Sequence, residues 1–237
     1  MVKQVAGIWL PNDETHLIPV IERTAAKSQS GVGSYQLQTL AEFMNFVPSD
    51  RRDTVIDVGA HVGLWSMHLS RLFKRVEAFE PTEVMQECFG LNVLNHPTKP
   101  CRNVVLHKVA LSDFEGPVEI SFERDNSGHT HVAPLSGEKI AGAAHLPAQA
   151  VTLDGYLANE FGLDRSIDAI KIDVEGYEPA VLRGAENTIR RHKPIICIEQ
   201  KPHDFYGWEQ YEAIKILMGW GAKPVHRVVD DFILIWE

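Results

Sequence analysis

Thr54-Val-Ile-Asp-Val-Gly-Ala-His-Val-Gly63 is a short β-branched run that ends in glycine, the pattern of a buried parallel strand breaking into a tight turn. Leu64–Phe73 follows with apolar residues at helical spacing, so strand, turn and helix are predicted in succession. Outward from this stretch the alternation repeats. Arg75–Phe79 reads as a strand, and Thr82 as the cap of a helix running to about Asn95, with Glu83 in its first turn. Strands are predicted at Asn103–Val109, Ile167–Ile172 and Pro194–Glu199, and helices at Leu153–Phe161, Glu178–Arg191 and Glu209–Trp220. Gly116–Phe122 alternates in period two and predicts an antiparallel strand, with Gln149–Leu153 as its partner. Lys223–Val229, a turn at Asp230-Asp231 and Phe232–Trp236 predict a closing β-hairpin. Repeated strand–helix units imply a doubly wound α/β fold, a mostly parallel seven-stranded sheet with helices on both faces.

The first fifty residues read differently. They are turn-rich to Glu14, then weakly helical at Leu17–Ala26 and Tyr35–Phe46, with Ser28-Gln-Ser-Gly-Val-Gly33 as a flexible connector. This predicts an N-terminal helical cap at 1–50 on a main domain at 51–237. The polar stretch from about 123 to 148 has no clear period, and a loop of that length in a compact domain is commonly functional or mobile.

At 237 residues, with 44% hydrophobic and 23% charged residues, the composition is that of an ordinary globular chain. No apolar run approaches membrane-spanning length. The opening residues turn acidic too soon for a signal peptide. Three widely spaced cysteines (Cys88, Cys101, Cys197) predict free thiols in a reducing, cytoplasmic setting. A formal charge of −9 argues against a nucleic-acid surface, which draws its affinity from clustered Lys and Arg. Oligomeric state is not readable.

In open α/β sheets, ligands bind outside the carboxyl ends of the strands. At the first such end, Gly59 and Gly63 let the backbone turn and approach a ligand closely. Asp57, sitting in that turn, would repel a phosphate but suit an ammonium, and the spacing Asp-x-Gly-x-x-x-Gly departs from the dinucleotide pattern Gly-x-Gly-x-x-Gly. At the second, Glu80 is placed to accept hydrogen bonds from ribose hydroxyls. Backbone around Ala110 and the side chain of Asp113 could border an adenine ring. At the fourth, Lys171-Ile-Asp-Val-Glu-Gly-Tyr-Glu178 sets Lys171, Asp173 and Glu175 on one side of a strand that should be apolar, so these charges need a partner or a ligand. Glu199, ending the next strand, faces the same cleft. The histidines of Gly128-His-Thr-His131 make no complete metal pattern, and no metal is predicted.

These blocks resemble the FkbM-type S-adenosylmethionine-dependent methyltransferases. The resemblance rests on Val55–Gly63, Ala78-Phe-Glu-Pro81 with Leu91-Asn-Val-Leu-Asn95, and Val109-Ala-Leu-Ser-Asp113. It rests further on Ile170–Glu178, Val181-Leu-Arg-Gly-Ala185 and Pro194-Ile-Ile-Cys-Ile-Glu199. Together they cover about residues 50 to 200. The resemblance implies a Rossmann-like class I fold with S-adenosyl-L-methionine as cofactor. Asp57, Gly59 and Gly63 would hold its methionine end and Glu80 its ribose, Ala60 would belong to the same cofactor site, and Asp173 would lie near its methyl group. His61 stands where asparagine is often found.

Methyl transfer from a sulfonium is an in-line displacement governed by alignment, aided by a base near the acceptor's proton. Asp173, Glu175 and Glu199 are the candidate carboxylates, with Lys171 pairing with them or stabilising oxyanion charge. The expected acceptor is a hydroxyl on a small molecule or carbohydrate. Two other classes share the fold: an NAD(P)-dependent oxidoreductase, which the glycine spacing disfavours, and a non-catalytic binding module, which the charge cluster disfavours.

Overall fold

The computed structural model describes residues 1–123, 125–133, 144–160, 165–201 and 206–237. The middle of the predicted 123–148 loop and the predicted helix end at Phe161 lie outside the described residues.

Val2–Val5 (β1) and Ile8–Pro11 (β2) pair as an antiparallel hairpin. Ala6 and Gly7 form its turn at φ 44° and 81°, the left-handed pair that suits a two-residue hairpin loop. Only turns were expected here, because strands this short show no period. Next come α1 (Ile18–Lys27) and α2 (Leu37–Phe46). Leu17, Ile21 and Ala25 bury one stripe, and Leu40 and Phe43 another.

The alternating region opens with β3 (Thr54–Val58), α3 (Leu64–Leu69), β4 (Arg75–Phe79), α4 (Glu83–Phe89) and β5 (Val104–His107). The strands β6 (Ala110–Leu111), β7 (Gly116–Phe122), β8 (His131–Val132) and β9 (Ala144–Val151) follow. Then come α5 (Leu153–Glu160), β10 (Ile167–Ile172), α6 (Glu178–Arg183), α7 (Glu186–His192) and β11 (Ile195–Glu199). The chain finishes with α8 (Glu212–Gly219), β12 (Ala222–Val228) and β13 (Asp231–Trp236).

The main sheet is the predicted seven-stranded α/β sheet, in the order β12-β13-β11-β10-β3-β4-β5. The strands from β11 to β5 are parallel, and the C-terminal hairpin docks with β13 antiparallel to β11. A second sheet, β6-β9-β7-β8, contains the predicted antiparallel pairing of β7 with β9.

β3, β10 and β11 are buried along their whole length, because helices cover both faces. Val55, Val76, Ala169 and Cys197 pack with Ile21, Phe43, Leu69 and Phe89 on one side. Ile56, Ile170 and Ile196 pack with Val181, Ile189 and Leu217 on the other. Each such aliphatic side chain contributes roughly 1.5–3 kcal/mol relative to exposure. Ile8, Leu10, Leu17 and Leu40 belong to the first cluster, so the N-terminal segment closes one face of the sheet. The three cysteines are free thiols.

Several helices differ from the expected bounds. The helix from Leu64 stops at Leu69. Thr82 occupies the N-cap position, but its hydroxyl makes no cap hydrogen bond, and α4 passes into a π turn over Gly90–Leu94. The single helix predicted over Glu178–Arg191 is broken at Gly184-Ala185. Gly184 packs on the Ser112 carbonyl, where a Cβ would lie 1.8 Å from the oxygen. No helix among the described residues is long and apolar enough to cross a membrane.

β3 leads to β4 on one side and borders β10 on the other, so strand order reverses between β3 and β10. The carboxyl ends there open a cleft.

Candidate active site

The turn after β3 forms the cleft's floor. Gly59 sits at φ 72°, and a Cβ on it would fall 1.8 Å from the Asp173 carbonyl oxygen, so only glycine lets β3 and β10 close at this point. Gly63, at φ 88°, is also closely packed, with a Cβ 2.5 Å from Val93 Cγ2. The turn's amides are already engaged. Those of Gly59 and Ala60 donate to the Phe79 carbonyl at 3.1 and 3.0 Å, that of His61 to Glu80 Oε2 at 2.9 Å, and that of Gly63 to the Ala60 carbonyl at 2.9 Å. Such a turn offers little of the free N–H cradle that a pyrophosphate needs.

Asp57 is deeper than expected. It is fully buried within β3 and does not line the cleft. Its Oδ2 accepts the Ser66 hydroxyl at 2.6 Å, and its Oδ1 lies 3.6 Å from Lys171 Nζ. It supports the turn from beneath rather than presenting a carboxylate to a ligand. Gly59, Ala60 and Glu80 do line the cleft. Glu80 accepts the backbone N–H groups of His61 and Thr82, at 2.9 and 2.8 Å, which aims the carboxylate and leaves lone pairs for a diol. Burial pushes its pKa up, and these hydrogen bonds oppose the shift. Val109, Ala110 and Leu111 form the adjoining wall. Asp113 is exposed and is not part of that wall, because the chain has already turned toward α6 at Ser112.

Lys171, Asp173, Glu175 and Glu199 all line the cleft, but they pair in an unexpected way. Lys171 Nζ donates to the Gly59 carbonyl at 2.9 Å and the Val58 carbonyl at 3.3 Å, and lies 3.7 Å from Asp173 Oδ2. Burial alone would lower its pKa, but the surrounding acidic groups, Asp173 first and then Asp57 and Asp231, leave it raised. Lys171 therefore fastens β10 to the turn. Beyond β10, Glu175 at φ 55° and Gly176 at φ 98° curl the chain back. There Lys201 bridges Glu175 Oε2 at 2.9 Å and Glu199 Oε2 at 3.0 Å. Burial, with Asp173 and Glu175 adding to it, pushes Glu199 up to about 10. Burial and Asp173 also raise Glu175, against the pull of Lys201. Oxygens of Asp173, Glu175 and Glu199 all lie within 4.8 Å of one another, Glu175 and Glu199 on the Lys201 ammonium and Asp173 beside Lys171.

Lys201 was missed: it lies two residues beyond the predicted strand Pro194–Glu199, outside any predicted element. The N-terminal segment and the polar loop also contribute. Tyr35, Gln36, Ser127, His129 and His131 line the cleft. Gln36 Oε1 accepts Trp65 Nε1–H at 2.8 Å. Burial, then Asp173 and Glu199, pushes the Tyr35 hydroxyl up to about 12. His61 Nε2 meets Ser127 Oγ at 2.9 Å.

The methyltransferase FkbM domain family matches residues 57–224, which spans the main sheet from β3 to β12 and every charged group of the cleft. The chain belongs to this family. Membership brings S-adenosylmethionine as the methyl donor, and the cleft fits it: carboxylate acceptors, an apolar wall and no cradle for a pyrophosphate. The methyltransferase sdnD of Sordaria araneosa is 24% identical over 159 residues, 56% of this chain and 60% of that protein. The chain thus spans about three fifths of the length of that curated relative. Among solved structures, methyltransferase FkbM from Methylobacillus flagellatus KT shares the fold at TM-score 0.50 and 16% identity, over 93% of this chain and 59% of that one. The O-methyltransferase from Bacillus cereus in complex with SAH does so at TM-score 0.51 and 13% identity, over 93% and 90%.

Proposed function

We propose that this FkbM methyltransferase methylates a hydroxyl oxygen on a small molecule or carbohydrate. The observation that carries the reading is the cluster of the Asp173, Glu175 and Glu199 carboxylates, held by Lys171 and Lys201 beside the Gly59 turn and in the same cleft as Glu80. When bound, the cofactor supplies a methyl group on a sulfonium, which the acceptor oxygen takes as the carbon–sulfur bond breaks.

The chain's residues then divide the work. Glu80 holds the ribose hydroxyls, and Val109–Leu111 cover the adenine. Lys171 keeps the turn against β10 and balances Asp57 and Asp173. Asp173 takes the hydroxyl proton of the acceptor and is the catalytic base. Glu199, pushed up to about 10, is protonated at neutral pH and donates a hydrogen bond rather than accepting the proton. Glu175, held by Lys201, orients the acceptor. The N-terminal segment, through Tyr35 and Gln36, forms part of the acceptor's surroundings. The net charge of −9 favours an acceptor other than nucleic acid.

The test is transfer of a labelled methyl group to a panel of sugars, polyols, phenols and a structured RNA. Transfer to a neutral hydroxyl compound that falls at least about 100-fold in Asp173→Asn, with cofactor affinity kept, supports the assignment. Near-normal turnover in Asp173→Asn and Glu175→Ala, or transfer to RNA alone, refutes it.

A further inference from the structure

Glu14 in the N-terminal segment, Ser127 in the polar loop and His61 in the cofactor turn take no part in the chemistry above, yet they form one chain of hydrogen bonds. Glu14 and Ser127 are completely buried. Glu14 Oε1 accepts the Leu17 N–H at 2.7 Å. Its Oε2 accepts the Ser127 N–H at 2.7 Å and also the Ser127 hydroxyl. With three donors on its two oxygens, Glu14 acts here only as an acceptor. The Ser127 proton is therefore committed to Glu14.

That commitment fixes the histidine. Ser127 Oγ can act toward His61 Nε2, 2.9 Å away, only as an acceptor, so the ring carries its proton on Nε2. Nδ1 is then the lone-pair nitrogen. It makes no hydrogen bond among the described residues and is not one of the buried polar atoms left without a partner, while His61 lines the cleft. Burial, only partly opposed by Glu14, pushes the ring down to about 4, so it stays neutral and acts as an acceptor rather than a proton carrier. The same two segments are tied a second time. The Thr15 and His16 N–H groups both donate to the Asp125 carbonyl, at 3.0 and 3.3 Å.

We propose that Glu14 and Ser127 are positioning residues that clamp the N-terminal segment and the 125–132 loop onto the cofactor turn. They hold His61 so that Nδ1 accepts a hydrogen bond from an N–H or O–H group of the bound cofactor. The inference rests on the cleft being the S-adenosylmethionine site. It explains why two segments distant in sequence meet over the turn, and why a histidine is held there in a single tautomer.

The test uses the whole chain and S-adenosylhomocysteine, which carries the same ammonium and ribose donors. Nitrogen-15 spectra of the imidazoles at pH 7 should show His61 neutral with its proton on Nε2, and its Nδ1 resonance should move upfield on saturation. Ser127→Ala should weaken S-adenosylhomocysteine binding about 3- to 10-fold by calorimetry and reduce that movement, whereas Ser127→Thr, which keeps the hydroxyl, should restore part of both. The wild-type spectrum depends on no variant's folding. A proton on Nδ1, an Nδ1 resonance unmoved at saturation, or wild-type affinity in Ser127→Ala overturns the proposal. Failure of the wild-type chain to bind S-adenosylhomocysteine overturns the cofactor reading beneath it.

Discussion

Replacing Lys171 by methionine keeps most of the aliphatic stem and removes the ammonium that the cleft is built around. That ammonium donates to the Gly59 and Val58 carbonyls at 2.9 and 3.3 Å and lies 3.6 Å from Asp57 and 3.7 Å from Asp173. Asp57 has no exposed surface, so its charge would be stranded in the core. Breaking a buried pair by removing one partner costs about 3–5 kcal/mol. For a chain of this size 1 kcal/mol corresponds to roughly 2–4 °C, so the variant should melt roughly 6–20 °C lower. Asp57→Asn in the same chain removes the stranded charge and should recover at least about 1 kcal/mol, a coupling between contacting residues. Urea unfolding at 25 °C on the wild type, both single variants and the double variant measures each term. A Lys171→Met loss below about 1 kcal/mol, or strictly additive effects in the double variant, would refute a structural role for this cation.

Burial, followed by Asp173 and Glu175, raises Glu199 from 4.5 to about 10, so the folded chain holds a proton that the unfolded chain releases. The wild type should therefore lose stability relative to Glu199→Gln as pH climbs from about 4.5 towards about 10, measured as paired urea midpoints across that window. Gly184→Ala would drive a Cβ into the Ser112 carbonyl and should cost about 1–3 kcal/mol, read in the same unfolding assay. Glu80→Gln, whose amide would face the His61 and Thr82 N–H groups that the carboxylate now accepts, should weaken S-adenosylhomocysteine binding roughly 10-fold by calorimetry. Lys201→Met should cut turnover while leaving that affinity within about 3-fold, because its partners Glu175 and Glu199 are the residues proposed to face the acceptor rather than the cofactor.

The parallel strands were legible because burial on both faces demands unbroken β-branched runs, as in Ile195-Ile-Cys-Ile198 and Thr54-Val-Ile56. The charges at Lys171–Glu175 stood out for the same reason: they interrupt such a run. Period-two alternation set Lys171, Asp173 and Glu175 on one side of their strand, and the glycine spacing put Asp57 at the neighbouring turn. Neither showed that Asp57 lies too deep to meet a ligand, since depth depends on how the turn folds over the strand end. Lys201 was not legible because its partnership with Glu175 depends on the left-handed curl at Glu175-Gly176. Nor was the junction of Glu14 with Ser127, which lie 113 positions apart. It is made by packing the N-terminal segment over the sheet, and no local pattern encodes it. The break at Gly184 likewise reflects a contact with Ser112 that the helix's own residues do not reveal.

The cleft between β3, β4 and β10 is expected to bind S-adenosylmethionine and not a dinucleotide. Titration calorimetry of the wild-type chain with S-adenosylhomocysteine and, separately, with NAD tests it most directly. One S-adenosylhomocysteine per chain should bind saturably, more weakly in Glu80→Gln, and NAD should give no heat. Saturable NAD binding without S-adenosylhomocysteine binding would contradict it.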